Sequence, residues 1–337
     1  MRILIISDAW HPQVNGVVRT LSMLQHELTT LGHEVEVIGP DRFRTMAMPS
    51  YRSIQLAIAP SARLVPMIEA FQPEALHIAT EGPLGWAARR WALRRGVAFT
   101  TSFHTRFPEY LHARARVPIA LGYACLRRFH GRAHGTMVAA GSMRRELAGR
   151  GFRNLLPWSR GVDLDRFQPG AVEEWPFERP IFLYVGRLAV EKNLDQFLSL
   201  DLPGTKVVVG DGPQRAALQA AYPEARFVGE RHGPALVRAY AGADVFVFPS
   251  LTDTFGLVLL ESLACGTPIA AHPVTGPADI LAGARPGVGS LDSDLRAAAL
   301  RALEGDRAAC RAHAERFSWR ACAELFFHNL AKPAKPA

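Results

Sequence analysis

The sequence predicts an α/β chain made of two doubly wound parallel sheets in tandem. Two patterns and one break between them carry that prediction. Short apolar, β-rich runs alternate with helically spaced segments along nearly the whole chain. The alternation stops at Gly161–Arg179, where GVDLDRFQPGAVEEWPFER mixes turn and acidic residues without period, and then restarts. A length of 337 residues also suits two domains at roughly 100–200 residues each, both large enough to bury a core.

In the first half, Ile3–Ile6, Val35–Ile38, Ala75–Ile78 and Phe99–Ser102 read as buried parallel strands. Between the first two, Val17, Leu21, Leu24, Leu28 and Leu31 recur at helical spacing, and Gly32 supplies a stop. In the second half, Ile181–Val185, Lys206–Val209, Ala225–Val228, Val245–Phe248 and Pro268–Ala271 read as strands. Ala216–Ala221, Pro234–Ala241 and Gly256–Ala264 read as helices. The expected organisation is a Rossmann-like domain over 1–170, a second over 171–317, an amphipathic helix over 318–330 packing back on the first, and a disordered tail over 331–337. Open α/β sheets bind ligands at the carboxyl ends of their strands, so the cleft between the domains is the expected site.

Composition narrows the function classes. With 48% hydrophobic and 21% charged residues the chain is neither disordered nor collagen-like. Cys125, Cys265, Cys310 and Cys322 are widely separated and form no CxxC pair, which excludes a disulfide scaffold or a zinc ribbon and fits a reducing cytoplasm. The opening MRILIISD has too short an apolar run for a signal-peptide core. The longest mostly apolar stretch, Val117–Leu126, contains Pro118 and falls far below the roughly 20 residues of a membrane-spanning helix. Any membrane contact is therefore expected at the surface. The net charge of +8 is unevenly placed: residues 1–170 hold 22 Arg, no Lys and 12 acidic residues, a balance of +10, whereas the remainder holds 17 basic and 19 acidic residues, a balance of −2. Nucleic acid, acidic lipid and polyanionic substrate all fit such an asymmetry, as does a genome that favours arginine.

The motifs with chemical content lie at strand ends. Phe182–Leu198, FLYVGRLAVEKNLDQFL, is a strand, then Gly186-Arg187, a short loop with Lys192, and a helix. Glycine after a strand lets a ligand approach the backbone. Arg offers a planar fork and Lys a point charge, a pair suited to a diphosphate. Lys192 is the first of only four lysines, so it stands out in an Arg-dominated chain. In Pro249–Ala271, a strand ends at Phe248-Pro249, a polar turn follows, and a helix begins near Thr254–Gly256. Its first amides, Phe255–Val258, point above the strand ends, where a helix N-terminus attracts phosphate. On pattern alone Asp253 fits an N-terminal cap and Glu261 a solvated helix residue. Within LVLLESLA, however, Glu261 is the odd residue out and needs a polar partner.

GRLAVEK, VVVGDGP and DTFGLVLLESLACGTP together resemble the donor-binding half of retaining glycosyltransferases of the GT-B fold, in the group called family 4. HPQVNGVVRTL resembles that family's first loop. SFHTRFPEYLHARARVP and WSRGVDLDRFQP are similar to its glycolipid-making subgroup, which includes sulfoquinovosyl-, glucosyl- and glucuronosyl-diacylglycerol synthases and bacterial α-mannosyltransferases. The resemblance runs over residues 1–330. It implies an acceptor domain followed by a donor domain, and transfer of a hexose from a nucleotide diphosphate sugar (UDP-glucose, UDP-glucuronate or GDP-mannose) to a lipid such as diacylglycerol or a glycolipid. It further implies an α-linkage formed by front-face displacement with no metal and no cofactor. A soluble or polysaccharide acceptor is the alternative, and a non-catalytic sugar-nucleotide binder is a third.

Residue by residue, the resemblance puts Arg187 and Lys192 on the donor diphosphate and Glu261 on the ribose hydroxyls. Asp253 takes the place of a glutamate that contacts the sugar, one methylene shorter. Leu257 and Val258 would give amides to the distal phosphate, with Gly186 and Gly256 allowing close approach, and Phe227 and Val228 would flank the base through their backbone. In the first domain Gly16, preceded by Asn15 where the family often has a second glycine, would offer its amide to the diphosphate. His104 would meet the sugar or acceptor, and Glu81, His11 and Arg106 would lie toward the acceptor. Asp292-Ser293-Asp294 is remote from these motifs, so no DxD-like metal site stands beside them. Gly210–Gly212 and Gly287–Gly289 do not extend to GxGxxG, so no nicotinamide cofactor is expected.

Trp86–Arg95, Cys125–His134 and the segment LHARARVP combine basic side chains with aromatic and aliphatic ones. Such a face suits anionic lipid at about 1 kcal/mol per basic residue near the surface; a solvated helix face has the same composition. The expected location is cytoplasmic, at the inner face of the cell membrane. Nucleic acid is not an expected partner, because no binding module is present and the donor motifs would be left without a role.

Overall fold

The computed structural model describes residues 1–331 apart from Val14, Pro49, Ser50, Ala171 and Thr254, with backbone alone at 48, 51–54 and 113–115. The chain forms two compact units, one of Met1–Arg160 together with the chain from Trp319 onward, the other of Gly161–Ser318.

The first unit has strands β1 (Arg2–Ile6), β2 (Glu34–Ile38), β3 (Thr45–Met48), β4 (Tyr51–Ala57), β5 (Ala75–Ile78), β6 (Phe99–Phe103), β7 (Gly135–Val138) and β8 (Leu155–Pro157). Its helices are α1 (Gly16–Thr30), α2 (Ser61–Phe71), α3 (Pro83–Arg95), α4 (Phe107–Ala115), α5 (Ile119–His130) and α6 (Gly141–Gly149). Six strands form a parallel sheet in the order β2-β1-β5-β6-β7-β8, while β3 and β4 make a separate antiparallel hairpin. Ile3–Ile6 is wholly buried because helices cover both faces of such a sheet. Leu4, Ile6, Leu64, Ile68, Ile78, Leu84, Ala88 and Phe129 join β1, β5, α2, α3 and α5 in one core.

The second unit has strands β9 (Ile181–Val185), β10 (Thr205–Val209), β11 (Arg226–Gly229), β12 (Val245–Phe248), β13 (Ile269–Ala271) and β14 (Gly289–Leu291). Its helices are α7 (Leu194–Leu198), α8 (Arg215–Ala221), α9 (Gly233–Ala241), α10 (Leu257–Ala264), α11 (Pro277–Ile280), α12 (Leu295–Ala302) and α13 (Arg307–Ala314). All six strands are parallel, in the order β11-β10-β9-β12-β13-β14. That order winds outward both ways from β9 and β12, so their carboxyl ends mark the switch point at which ligands of such sheets bind. In the first unit the corresponding reversal lies between β1 and β5. Both sheets are thus Rossmann-like.

Backbone crowding explains VVVGDGP. A Cβ on Gly210 would lie 1.9 Å from the Gly186 carbonyl oxygen, and one on Gly212 would lie 2.4 Å from that of Leu188. The loop after β9 runs against the loop after β10, with the Leu188 amide donating to Asp211 O at 2.9 Å. The glycines are there for close packing between loops.

The expected linker packs onto the second unit. Phe167 and Trp175 are buried, Val162 bridges to Ser318, and Arg311 donates to the carbonyls of Leu164 and Phe167. The division therefore falls at Arg160/Gly161, earlier than the expected 170. The last helix, α14 (Trp319–Asn329), lies in the first unit beside α1, with Asn329 donating to Pro157 O at 2.6 Å. The expected start of α10 near Thr254 lies outside the described residues, and the helix itself begins at Leu257. Residues 332–337 of the expected tail also lie outside them.

Candidate functional site

In the second unit the loops after β9 and β12 are tied together at the switch point. Gly186 turns the chain at φ +153°. Tyr184, wholly buried, donates its hydroxyl to Arg187 O at 3.0 Å. Burial, then Asp253 and Glu191, push the Tyr184 hydroxyl well above the ordinary tyrosine range. Lys192 Nζ donates to both carboxylate oxygens of Asp253, at 2.6 and 2.9 Å, and Arg187 Nη2 donates to Glu191 Oε1 at 2.8 Å. Asn193 donates to Pro249 O, while the Glu191 carbonyl accepts from Ser250 Oγ. Asp253 is therefore the partner of Lys192. The N-cap of α10 is Gly256, at φ +89° and with no side-chain cap bond. Leu257 and Val258 form the first turn beyond it, whose amides lack intrahelical acceptors.

Glu261 is 3% exposed and accepts a hydrogen bond from the buried Tyr240 hydroxyl at 3.0 Å. This is the polar partner that an acid in an apolar helix requires. Phe227 is half-buried against the core. The β10–β11 register shifts, pairing Phe227 with Val208 and Gly229 with Val209, so Val228 drops out of the ladder.

In the first unit the site residues fall into separate clusters. Gly16 opens α1 and is exposed, and Asn15 Oδ1 caps that helix by accepting from the Val17 and Val18 amides, both at 3.0 Å. His11 Nε2 lies 3.3 Å from Ser22 Oγ. His104, just past β6, places Nε2 2.8 Å from Ser102 Oγ and Nδ1 3.2 Å from Arg160 Nη2. His77, wholly buried on β5, contacts Ser102 Oγ at 3.0 Å and Thr100 Oγ1 at 2.9 Å. Burial foremost, then the nearby Arg160, lowers the pKa of both imidazoles, that of His77 to about 3. Glu81 pairs with buried His130 at 3.1 Å. Arg106 forks onto Glu146 at 2.6 and 3.2 Å, near Glu109, which accepts from Tyr123. Asp8, at the end of β1, accepts from Thr80 Oγ1 and from the Leu84 and Gly85 amides, capping α3; burial raises its pKa to about 6.

Sequence reasoning did not single out Tyr184, Glu191, Tyr240, His77 or Arg160. His77 is hidden inside the apolar run ALHI, and Arg160 stood only within the quoted WSRGVDLDRFQP. An isolated cation next to Trp158 was the available signal.

Two of the expected basic stretches meet. Arg89 of α3 donates to the carbonyls of Phe129 and Arg128 on α5 and lies over the Trp86 ring. Trp86, Arg89, Arg90, Leu93, Arg94 and Arg128 line one shallow groove. In the third stretch the Arg114 side chain lies outside the described residues. Among the described residues no helix is long and apolar enough to cross a membrane. Among them, too, no group of three or more His, Cys, Asp or Glu is arranged to hold a metal ion. Asp292 pairs with Arg301 at 2.6 Å, and Asp294 caps α12.

Two family profiles cover these units: Glycosyltransferase Family 4 matches residues 14–166, and Glycosyl transferases group 1 matches residues 179–305. A GDP-mannose-dependent alpha-mannosyltransferase of Mycobacterium tuberculosis is 33% identical over 316 residues, covering 86% of this chain and 83% of its own. The chain belongs to glycosyltransferase family 4. This glycosyltransferase is also 34% identical to the GDP-mannose-dependent alpha-mannosyltransferase of Mycolicibacterium smegmatis, covering 86% of this chain and 84% of that one. It is 30% identical to the sulfoquinovosyl transferase of Arabidopsis thaliana over 91% of this chain and 69% of that one. Among solved structures, sucrose-phosphate synthase from Thermosynechococcus elongatus superposes with a TM-score of 0.74 at 20% identity, covering 97% of each chain. HepE of Anabaena, solved with UDP and glucose, gives 0.69 at 13%, over 97% of this chain and 98% of that one. The fold is GT-B, and the enzyme is a hexosyltransferase that takes its sugar from a nucleotide-sugar donor.

Proposed function

We propose that this glycosyltransferase moves a hexose, with GDP-mannose the favoured donor, onto a lipid hydroxyl at an anionic membrane surface, retaining the α-configuration. The observation that carries the donor half is the pair Arg187 and Lys192 beside the uncapped N-terminus of α10, at the switch point between β9 and β12. As the anomeric carbon–phosphate oxygen bond breaks, negative charge grows on the leaving diphosphate. Two fixed cations and a helix N-terminus stabilise that charge without a metal. In a front-face displacement the acceptor oxygen bonds to the anomeric carbon on the departing side, and its proton passes to the leaving phosphate oxygen. Asp253, with both oxygens accepting from Lys192, fits a positioning role rather than attack on the sugar.

The names of relatives support the donor and acceptor. The mycobacterial enzymes use GDP-mannose, and a phosphatidylinositol dimannoside mannosyltransferase of Mycobacterium tuberculosis is 27% identical over 99% of this chain and 97% of its own. The groove of α3 and α5 supplies a basic face for anionic lipid. The test incubates the enzyme with GDP- and UDP-sugars and lipid extract on anionic or neutral vesicles, and identifies products by mass spectrometry. A mannolipid formed faster on anionic vesicles is the expected product. Nucleoside diphosphate released only from UDP-sugars would replace the donor. Equal transfer to a soluble acceptor regardless of vesicle charge would remove the membrane.

A further inference from the structure

One buried cation of the first unit has no part in the chemistry above. Arg160 is 5% exposed. Its Nη1 donates to the carbonyls of Trp158 at 3.3 Å and Ser159 at 2.9 Å, and its Nη2 points to His104 Nδ1 at 3.2 Å. Its guanidinium carbon lies 4.0 Å from the centre of the Trp158 ring. Among the described residues no carboxylate bonds to it. Burial lowers its pKa only to about 10, so it stays charged at neutral pH.

Guanidinium has five N–H donors and no acceptor. A nitrogen facing it at hydrogen-bond distance must therefore accept, so His104 Nδ1 carries no proton. A neutral imidazole with a bare Nδ1 holds its proton on Nε2, which donates to Ser102 Oγ at 2.8 Å. Ser102 Oγ–H is then left to donate to His77 Nε2 at 3.0 Å or to Ala79 O at 3.3 Å. An imidazolium would set an N–H against the guanidinium N–H. Among the described groups near His104, Arg160, His77 on β5 and His130 on α5 each oppose a second positive charge, after burial itself. Cys322 of α14, a neutral thiol, donates to Ser159 O at 3.2 Å.

We infer that Arg160 is a positioning residue that holds His104 as its neutral Nε2–H tautomer, with the N–H spent on Ser102 and the bare nitrogen on Arg160, so that the ring lines its site as a fixed, uncharged surface and not as a base. This rests on His104 belonging to the sugar or acceptor site. No family resemblance assigned a role to Arg160; the orientation of its guanidinium does.

The test is 15N NMR of the full chain labelled in histidine, with the His104 ring assigned by loss of its signals in His104→Gln. A bare Nδ1 and protonated Nε2, unchanged from about pH 5.5 to 8 against an ordinary histidine pKa near 6.5, is the expected spectrum. In Arg160→Met the Nδ1–H form or titration through that range should appear, and kcat should fall roughly 10–100-fold, by analogy with a metal-bound histidine that loses the group orienting its ring. Arg160→Lys, which keeps charge and donor, should restore the tautomer and most of kcat. A wild-type ring protonated on Nδ1, or titrating between those pH values, overturns the inference even if Arg160→Met does not fold. So does an unchanged tautomer in Arg160→Met. If the tautomer is as inferred but His104→Gln keeps full kcat, the site assignment of His104 fails while the role of Arg160 stands.

Discussion

Both units end a parallel sheet in a polar cluster, and they balance charge in opposite ways. In the second unit, Lys192 and Arg187 are paired with Asp253 and Glu191 while side chains stay partly open, 23% for Lys192 and 18% for Asp253. In the first, Arg160 is buried against two carbonyls, a tryptophan face and an imidazole. A pair that water still reaches loses less when its partner leaves than a fully buried one, because solvent screens the freed charge. In the function proposed above it would exchange a carboxylate for a diphosphate. A buried cation with neutral partners cannot exchange anything cheaply. That arrangement fixes a geometry instead. On that proposal the same architecture would carry a charge-exchanging site in one unit, beside the buried hydrogen-bond network of the other.

The largest expected effect tests the rigid network. His77 is held neutral, its pKa lowered to about 3 from 6.5 by burial and then by Arg160 and His130. A depressed histidine pKa contributes stability that is complete above pH 6.5 and is lost as pH falls toward 3. At 1.36 kcal/mol per pKa unit this is on the order of 5 kcal/mol. Asp8 acts in the opposite sense. Its raised pKa contributes stability that is complete below 3.8 and is lost as pH rises through about 6, on the order of 3 kcal/mol. Between pH 7 and pH 4 the two contributions, each about 3 kcal/mol, nearly cancel, so urea melts over that range, with hydrogen exchange to separate the units, should show the first unit nearly level. His77→Asn leaves Asp8 alone and should make that unit gain about 3 kcal/mol as pH falls from 7 to 4, and a slope like the wild type's would show that the network is not what titrates.

The next effect concerns the exchanging site. Lys192→Ala and Arg187→Ala should each lower kcat at least 10²-fold, about 3 kcal/mol, as for removal of one donor to developing charge. Single-turnover kinetics checks this with chemistry separated from product release. A Lys192→Ala enzyme at full rate would mean that Lys192 serves only Asp253, leaving Arg187 and the start of α10 as the diphosphate candidates.

What the sequence shows and hides follows from the range of the interactions. Continuous apolar runs such as Ile3–Ile6 and Ile181–Val185 expose their two-sided burial in their own composition, so both sheets were legible. Three-residue strands such as Leu155–Pro157 and Gly289–Leu291 are too short for any period to register. The stretch after Arg160 has the composition of a linker, yet Phe167 and Trp175 bury it against the second unit. In the site, the need of Glu261 for a polar partner was legible in LVLLESLA, but Tyr240 was not. Neither was the Lys192–Asp253 pair, because residues 61 apart in sequence leave no local signature. His77 and Arg160 were missed for the same reason: their meaning lies in each other and in Ser102 and His104.

The smallest effect compares the two helix starts that face the strand ends. Asn15 spends its side chain on the Val17 and Val18 amides of α1, whereas Gly256 puts no side chain on the start of α10. Asn15→Ala should cost about 1 kcal/mol, the usual price of a lost cap, lowering Tm by roughly 2–4 °C for a domain of this size. Its effect on nucleoside diphosphate affinity by calorimetry separates two arrangements. If α10, Arg187 and Lys192 hold the diphosphate, the Kd should move less than about 3-fold, well below the 1.4 kcal/mol of a tenfold change. If Kd shifts tenfold or more in either direction, the first amides of α1 and Gly16 share the diphosphate. Charge exchange would then extend to the first unit, and the contrast between the units would be confined to the buried pair Arg160 and His104.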